Sequence, residues 1–246
     1  MKTLLIIIIF IFSKSLSAQT KTLSNVTYKN GDTTIWYKYQ NIIINELCLA
    51  RLDTSLSPFY FRLWKTNQVL DIWKTNDSSY YGQLTSWVTE QTPTREKPTD
   101  RTLIDKRTLR ADTVRQIVDF VESSQIIKLP TDDSINGWKH GFDGVTYIIE
   151  FSTKATYSFK TYWTPSVQDT TLVEAKYLQS FVDKVFYLAS GTTTWKQFEK
   201  NIPYECYNVG GTIRCKVLTM NQKRYFAKER KNYRQHGYCC KCGGTL

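Results

Sequence analysis

The stretch Val145-Thr146-Tyr147-Ile148-Ile149-Glu150-Phe151-Ser152, followed by Thr156-Tyr157-Ser158-Phe159-Lys160-Thr161-Tyr162-Trp163, decides the fold. Val145, Tyr147, Ile149 and Phe151 alternate with Thr146, Ile148, Glu150 and Ser152. That is the period of a strand with one face on a core. Tyr157, Phe159, Thr161 and Trp163 repeat the pattern on a return strand, and Pro165 ends it. The two form an antiparallel hairpin. Glu150, on the face opposite Tyr147 and Ile149, reads as a solvated strand position.

Upstream, three more strands are predicted in series, at Phe59–Trp64, Gln68–Lys74 and Tyr80–Thr89. Asn67 and Asn76-Asp77-Ser78 mark their turns. A polar loop with Pro93 and Pro98 covers Gln91 to Arg101. A helix over Asp112–Ser123 places Val114, Ile117, Val118 and Val121 on one face, with Thr113 and Gln116 as a capping box. A second helix, Leu172–Ala189, carries Leu178, Val182, Val185 and Phe186. Thr171 with Glu174 caps its start, and Gly191 sits where its end cap belongs. Val26–Tyr39 reads as a hairpin about Asn30-Gly31, and Gln40–Leu52 leans to helix. The order after that hairpin is β-β-β-α-β-β-α. Short connections favour an antiparallel sheet with the helices on one face, an α+β fold.

The chain has 246 residues and is 14% aromatic, which excludes a disordered chain. It lacks the residue bias of a coiled coil. Met1 to Ala18 reads as a secretory signal: Lys2, an apolar run from Leu4 to Phe12, then Ser15-Leu16-Ser17-Ala18. The run is too short to span a bilayer. Export, to the periplasm or beyond, is therefore expected, with membrane contact only before the signal is removed. The α+β domain is placed at residues 19–200 and a basic cysteine-bearing tail at 201–246.

Export favours disulfides among the cysteines. Cys206, Cys215, Cys239, Cys240 and Cys242 crowd the end of the chain, and Cys48 stands apart. Cys206 and Cys215 flank a Gly210-Gly211 turn that can bring their sulfurs together. Cys239 and Cys242 have knuckle spacing, but no matching second knuckle accompanies them. Disulfides rank ahead of zinc there, and zinc ahead of redox chemistry.

The net charge of +11 is local. The tail holds Arg214, Lys216, Lys223, Arg224, Lys228, Arg230, Lys231, Arg234 and Lys241 against the single acid Glu229. With Lys2 and Lys14 in the signal, the domain between is nearly neutral. Thr219 and Gln222 cap a helix over Met220–Gln235, interleaved with Tyr225, Phe226 and Tyr233. Such a helix suits an anionic envelope polymer or a protein partner; nucleic acid is not expected outside the cell.

The candidate chemistry is sparse. The loop Trp138-Lys139-His140-Gly141-Phe142-Asp143-Gly144 offers His140 as a base and Asp143 as its orienting partner, a hydrolase reading. The favoured reading is structural, with the glycines shaping a turn and Trp138 and Phe142 anchoring the loop. Trp138 also counts as a binding candidate. No nucleophile elbow or phosphate loop is present. The two histidines, His140 and His236, argue against histidine-rich metal catalysis, and no metal or cofactor is expected. Trp64, Trp73, Trp87 and Trp163 would serve a carbohydrate binder if exposed, with Trp64 and Trp73 opposite the more apolar strand faces. Core packing is their default.

The run Gly141-Phe142-Asp143-Gly144-Val145-Thr146-Tyr147, with Tyr157-Ser158-Phe159-Lys160 and Tyr162-Trp163-Thr164-Pro165, resembles uncharacterised secreted proteins of the Bacteroidota. So do the Ala18-Gln19 junction and the Asn/Ile/Lys/Tyr/Thr-rich composition. The resemblance covers residues 60–190. It implies an exported bacterial protein and brings no catalytic residues. Together these readings favour a non-enzymatic exported binding module.

Overall fold

The computed structural model describes residues 21–27, 31–91 and 101–235. The signal segment, the loop over 92–100, His236 and Cys239, Cys240 and Cys242 lie outside them. The protein is an α+β fold on one mostly antiparallel sheet.

The strands are β1 (Thr22–Ser24), β2 (Tyr60–Lys65), β3 (Gln68–Lys74), β4 (Tyr80–Gln91), β5 (Thr102–Thr108), β6 (Thr146–Ser152), β7 (Thr156–Trp163), β8 (Cys206–Val209) and β9 (Thr212–Cys215). Their order across the sheet is β1-β7-β6-β2-β3-β4-β8-β9, with β5 also on β4. Among the described strands, only β1 with β7 is parallel. The helices are α1 (Ile35–Glu46), α2 (Ala111–Ser124), α3 (Val173–Leu188), α4 (Gly191–Lys200) and α5 (Met220–Gln235).

The hairpin predicted from Val145 to Trp163 is β6–β7, registered with Ile149 opposite Lys160. The three upstream strands also form, as β2, β3 and β4. β5 was not expected, because Asp105-Lys106-Arg107 breaks the apolar alternation. It survives as a charged edge partner of β4, a usual device for an exposed edge.

The N-terminal hairpin is corrected. Among the described residues it amounts to one antiparallel bridge, Thr27 with Thr33. Ile35-Trp36-Tyr37 open helix α1 instead, where Thr34 accepts the Tyr37 amide through Oγ1 as the cap. Gln40, Ile44 and Leu47 are buried at helical spacing, so packing overrides the strand propensity of Ile35, Trp36 and Tyr37.

One face of the sheet buries Phe61, Leu63, Leu70, Ile72 and Ile149 under α2 and α3. Gly82 in β4 lets α2 approach, since a Cβ there would stand 2.8 Å from Val114 Cγ2. The other face is covered too, which the sequence reading did not place. Tyr60, Trp64, Val69, Trp87, Ile148, Tyr157 and Phe159 pack there against Ile44, Leu47 and Leu52.

Two capping boxes do not form. α2 and α3 start at Arg110 and Leu172 with no side-chain cap. The third does: the Thr219 amide donates to Gln222 Oε1 at 2.9 Å and the Gln222 amide to Thr219 Oγ1 at 3.3 Å. Gly191 does not end α3. Ser190 takes the left-handed turn at φ +54 and Gly191 begins α4, close under the Phe186 ring.

Residues 206–215 extend the sheet rather than forming a tail apart. β8 continues along the edge of β4 that β3 occupies. Asn67 sits at the junction, its Nδ2 donating to Trp87 O at 2.9 Å and its Oδ1 accepting from Gly210 N at 2.6 Å. A disulfide joins Cys206 to Cys215 across β8–β9, as the spacing predicts. Cys48, left out of the disulfide expectation, is disulfide-bonded as well.

Candidate functional site

The outer edge of β7 is covered in two pieces. β1 pairs with it only over Thr156–Ser158, and Asn25 then turns away at φ +61. Further along, side chains of the loop after α2 take over. Thr131 Oγ1 accepts the Thr161 amide at 3.2 Å and Asp132 Oδ2 accepts the Trp163 amide at 2.7 Å. Asp132 Oδ1 also accepts from Thr161 Oγ1 and from the Asp133 amide, each at 3.0 Å. Thr131 Oγ1 reaches Oδ1 too, at 3.4 Å, so this buried carboxylate is held by four donors. Burial pushes its pKa up, while the Trp163 amide and the Thr161 hydroxyl pull the other way.

A groove of ≈ 990 Å³ lies beside this edge. Asn25, Thr27, Thr34 and Trp36 come from the segment leading into α1; Asp132, Asp133 and His140 from the loop between α2 and β6; Phe159, Thr161 and Trp163 from β7. Trp36 is 44% exposed. Gly141 packs on Trp163, where a Cβ would stand 2.6 Å from the ring.

His140 is half-exposed. Its Nδ1 lies 3.9 Å from Asp132 Oδ2 and its Nε2 3.5 Å from Asp133 Oδ1. The partners are thus Asp132 and Asp133. Asp143, the expected partner, is exposed and outside the groove lining. A general base needs one ring nitrogen free to face its substrate. Here both face carboxylates.

Trp138 is buried, its Nε1 donating to Trp163 O at 3.0 Å. It anchors the loop and is not a surface binding residue. Phe142, expected to anchor beside it, is fully exposed. Trp64 is also buried, donating to Glu150 Oε1 at 2.6 Å, so it is no stacking platform. Trp87 lies buried against it, edge to face. Trp73 is half-buried, but Tyr60 and Tyr81 stack on it at 6.0 Å each. Its ring faces are taken. Trp163 alone of the four strand tryptophans reaches the groove; its companion there is Trp36, whose sequence neighbourhood suits a strand but which lies in the first turn of α1.

Glu150 is a further correction. It is 1% exposed, accepting from Trp64 Nε1 and from Tyr157 OH at 2.8 Å, and lies 3.6 Å from Arg62 Nη1. Arg62 Nε donates to Asp71 Oδ1 at 2.6 Å. Burial alone would lower the Arg62 pKa; Asp71 and Glu150 more than reverse that.

Of the basic tail, Lys223 pairs with Glu205 at 3.4 Å and Arg214 with Glu199 at 3.0 Å. Lys216 donates to Ile202 O and lies over the Phe226 ring. Arg224 and Lys228 are exposed on α5. Arg230, Lys231 and Arg234 are on the same helix, with side chains outside the description. Among the described residues, no helix is long and apolar enough to cross a membrane.

Comparison with protein-family models and with curated proteins finds no match to the chain.

Proposed function

We propose that the protein is an exported, non-enzymatic binding module whose ligand site is the groove beside β7. The observation that carries this is the meeting of an exposed Trp36 and a half-buried Trp163 with the polar cluster Asp132, Asp133 and His140. Aromatic walls beside convergent polar groups suit a small polyhydroxylated ligand such as a glycan. The two carboxylates favour a neutral or cationic sugar over an acidic one. This moves the carbohydrate reading from Trp64 and Trp73 to a different pair of tryptophans.

The disulfide and the expected signal segment support export, in keeping with the resemblance to secreted Bacteroidota proteins. Asp143, the partner the hydrolase reading needs, is exposed and outside the groove lining, which argues against that reading. An anionic envelope polymer or protein partner for α5 stays a separate proposal, resting on Arg224 and Lys228.

Tryptophan fluorescence and calorimetry against a panel of neutral, amino and acidic glycans test the site. A neutral or amino glycan is expected to bind, and Trp36→Ala should weaken it by about tenfold or more, the loss of one stacking surface. Binding untouched by Trp36→Ala, or none across the panel, would sink the reading.

A further inference from the structure

We propose that Asp132, Asp133 and His140 form a site for a divalent transition-metal ion, Zn²⁺ above all, set in the wall of the same groove. One ligand atom from each lies within 4.8 Å of the others. Zinc takes carboxylate oxygen and imidazole nitrogen at about 2.0–2.2 Å in a tetrahedral shell, so donors around one ion are about 3.4 Å apart. The donors draw together by rotation of Asp133 and His140, both exposed.

Three observations converge on the cluster. The donor set is one imidazole and two carboxylates. Calcium wants six or more oxygens and magnesium a near-ideal octahedron, whereas a nitrogen with two oxygens suits zinc. Asp132 is oriented from behind by the Trp163 amide and the Thr161 hydroxyl, the outer hydrogen bonds that aim a ligating carboxylate. The charge is also unbalanced. Asp132 is 3% exposed, with Asp133 beside it. Among the described residues no Lys or Arg pairs with either; only His140 approaches them. A buried carboxylate calls for a cation, and a dication answers both acids.

Three protein ligands leave a fourth position, and the lining places it toward the groove. There a hydroxyl of the bound ligand or a water would complete the shell. The inference deepens the groove reading, yet the two can fail separately.

The test is calorimetric titration of the metal-stripped full-length chain with ZnCl₂ near neutral pH, repeated on Asp133→Asn and His140→Gln. Both side chains are exposed, so both variants should fold, as circular dichroism will check. Asp132→Asn is avoided, because Asp132 also holds β7. His236 and the cysteines at 239, 240 and 242 are a second place for zinc, so the readout is the change on substitution. Each variant is expected to weaken one binding event by about tenfold or more. Isotherms unchanged by both substitutions, or no zinc binding by the parent chain, would overturn the site. Trp36→Ala should leave zinc binding intact while weakening the glycan, which separates the two readings.

Discussion

Glu150 shows how one residue can be misread when only one sheet face is considered. In the sequence it alternates correctly with Tyr147, Ile149 and Phe151 and so looks solvated. Its face is buried because α1 and Leu52 cover it, and that cover lies a hundred residues away in the chain. The carboxylate is tolerated because Trp64, Tyr157 and Arg62 surround it. Nothing local in the sequence announces those partners. The cost of removing it follows from them. Glu150→Gln keeps its shape and a hydrogen-bonding end but loses the charge facing Arg62. Glu150→Leu also orphans the Trp64 and Tyr157 donors. Breaking a buried ion pair from one side costs about 3–5 kcal/mol, and an unsatisfied buried donor about 1–3 kcal/mol. Urea unfolding should therefore rank parent, then Gln, then Leu, with Leu at least about 3 kcal/mol below the parent. A Leu variant as stable as the parent would show that the buried charges contribute no net stability.

At the scale of elements, the strands with clean alternation were legible: β2, β3, β4, β6 and β7. So were α2, α3 and α5, from their apolar spacing or a capping box. What failed was anything decided by partners distant in sequence. The helix leaning over Gln40–Leu52 is there, but α1 starts earlier: its first turn looks like strand because Ile35, Trp36 and Tyr37 favour strands, while the Gln40-Ile44-Leu47 stripe has a sheet face to cover. The groove was half legible. His140 and its glycines stood out, but Asp132-Asp133 passed as loop polarity, since nothing in the sequence says that Trp163 N–H points at Asp132.

β8 joins the sheet by backbone pairing with β4, and one side chain seals its end against β3. β3 and β8 lie end to end along β4, and Asn67 fills the join with bonds to Trp87 O and Gly210 N. It also reaches Asn208 O at 3.4 Å. Asn67→Ala leaves these buried backbone groups short of partners, so a loss of about 2–3 kcal/mol is expected. The loss should be local as well as global. Amide exchange should quicken at Gly210 and along β8 more than in β6. Equal quickening throughout the sheet would deny Asn67 its role as the splice.

For the whole molecule, the sequence charge was misleading in one respect. The basic tail reads as a free cation cluster, yet Arg214, Lys216 and Lys223 are engaged with the domain. The buried ionisable groups matter more to stability, and they make a pH signature. Burial lowers the pKa of Lys160 and Lys21 below 10.5; for Lys21, Asp53 opposes this in part. The folded chain gives up these protons before the unfolded chain does. Stability therefore rises with pH through that window and stops rising near pH 10.5, where the unfolded lysines also titrate. Tyr60, Tyr157 and Tyr162 act in the opposite sense. Burial raises each above 10.0, with acids adding to it: Asp71 at Tyr60, Glu150 at Tyr157 and Asp132 at Tyr162. Above that pH the unfolded tyrosines ionise and the folded ones do not, so the unfolded state binds fewer protons and stability falls. Each group contributes about 1.4 kcal/mol per pH unit, so three together cost about 4 kcal/mol per unit. Urea unfolding from neutral to strongly alkaline pH should show a shallow rise, a maximum near pH 10 and a steep decline. Tyr162→Phe, which also gives up a bond to Leu129 O, should flatten that decline by about 1.4 kcal/mol per pH unit while lowering stability at neutral pH. A decline of unchanged slope in that variant would mean that Tyr162 ionises in the folded state and that the interior around β7 is open to water.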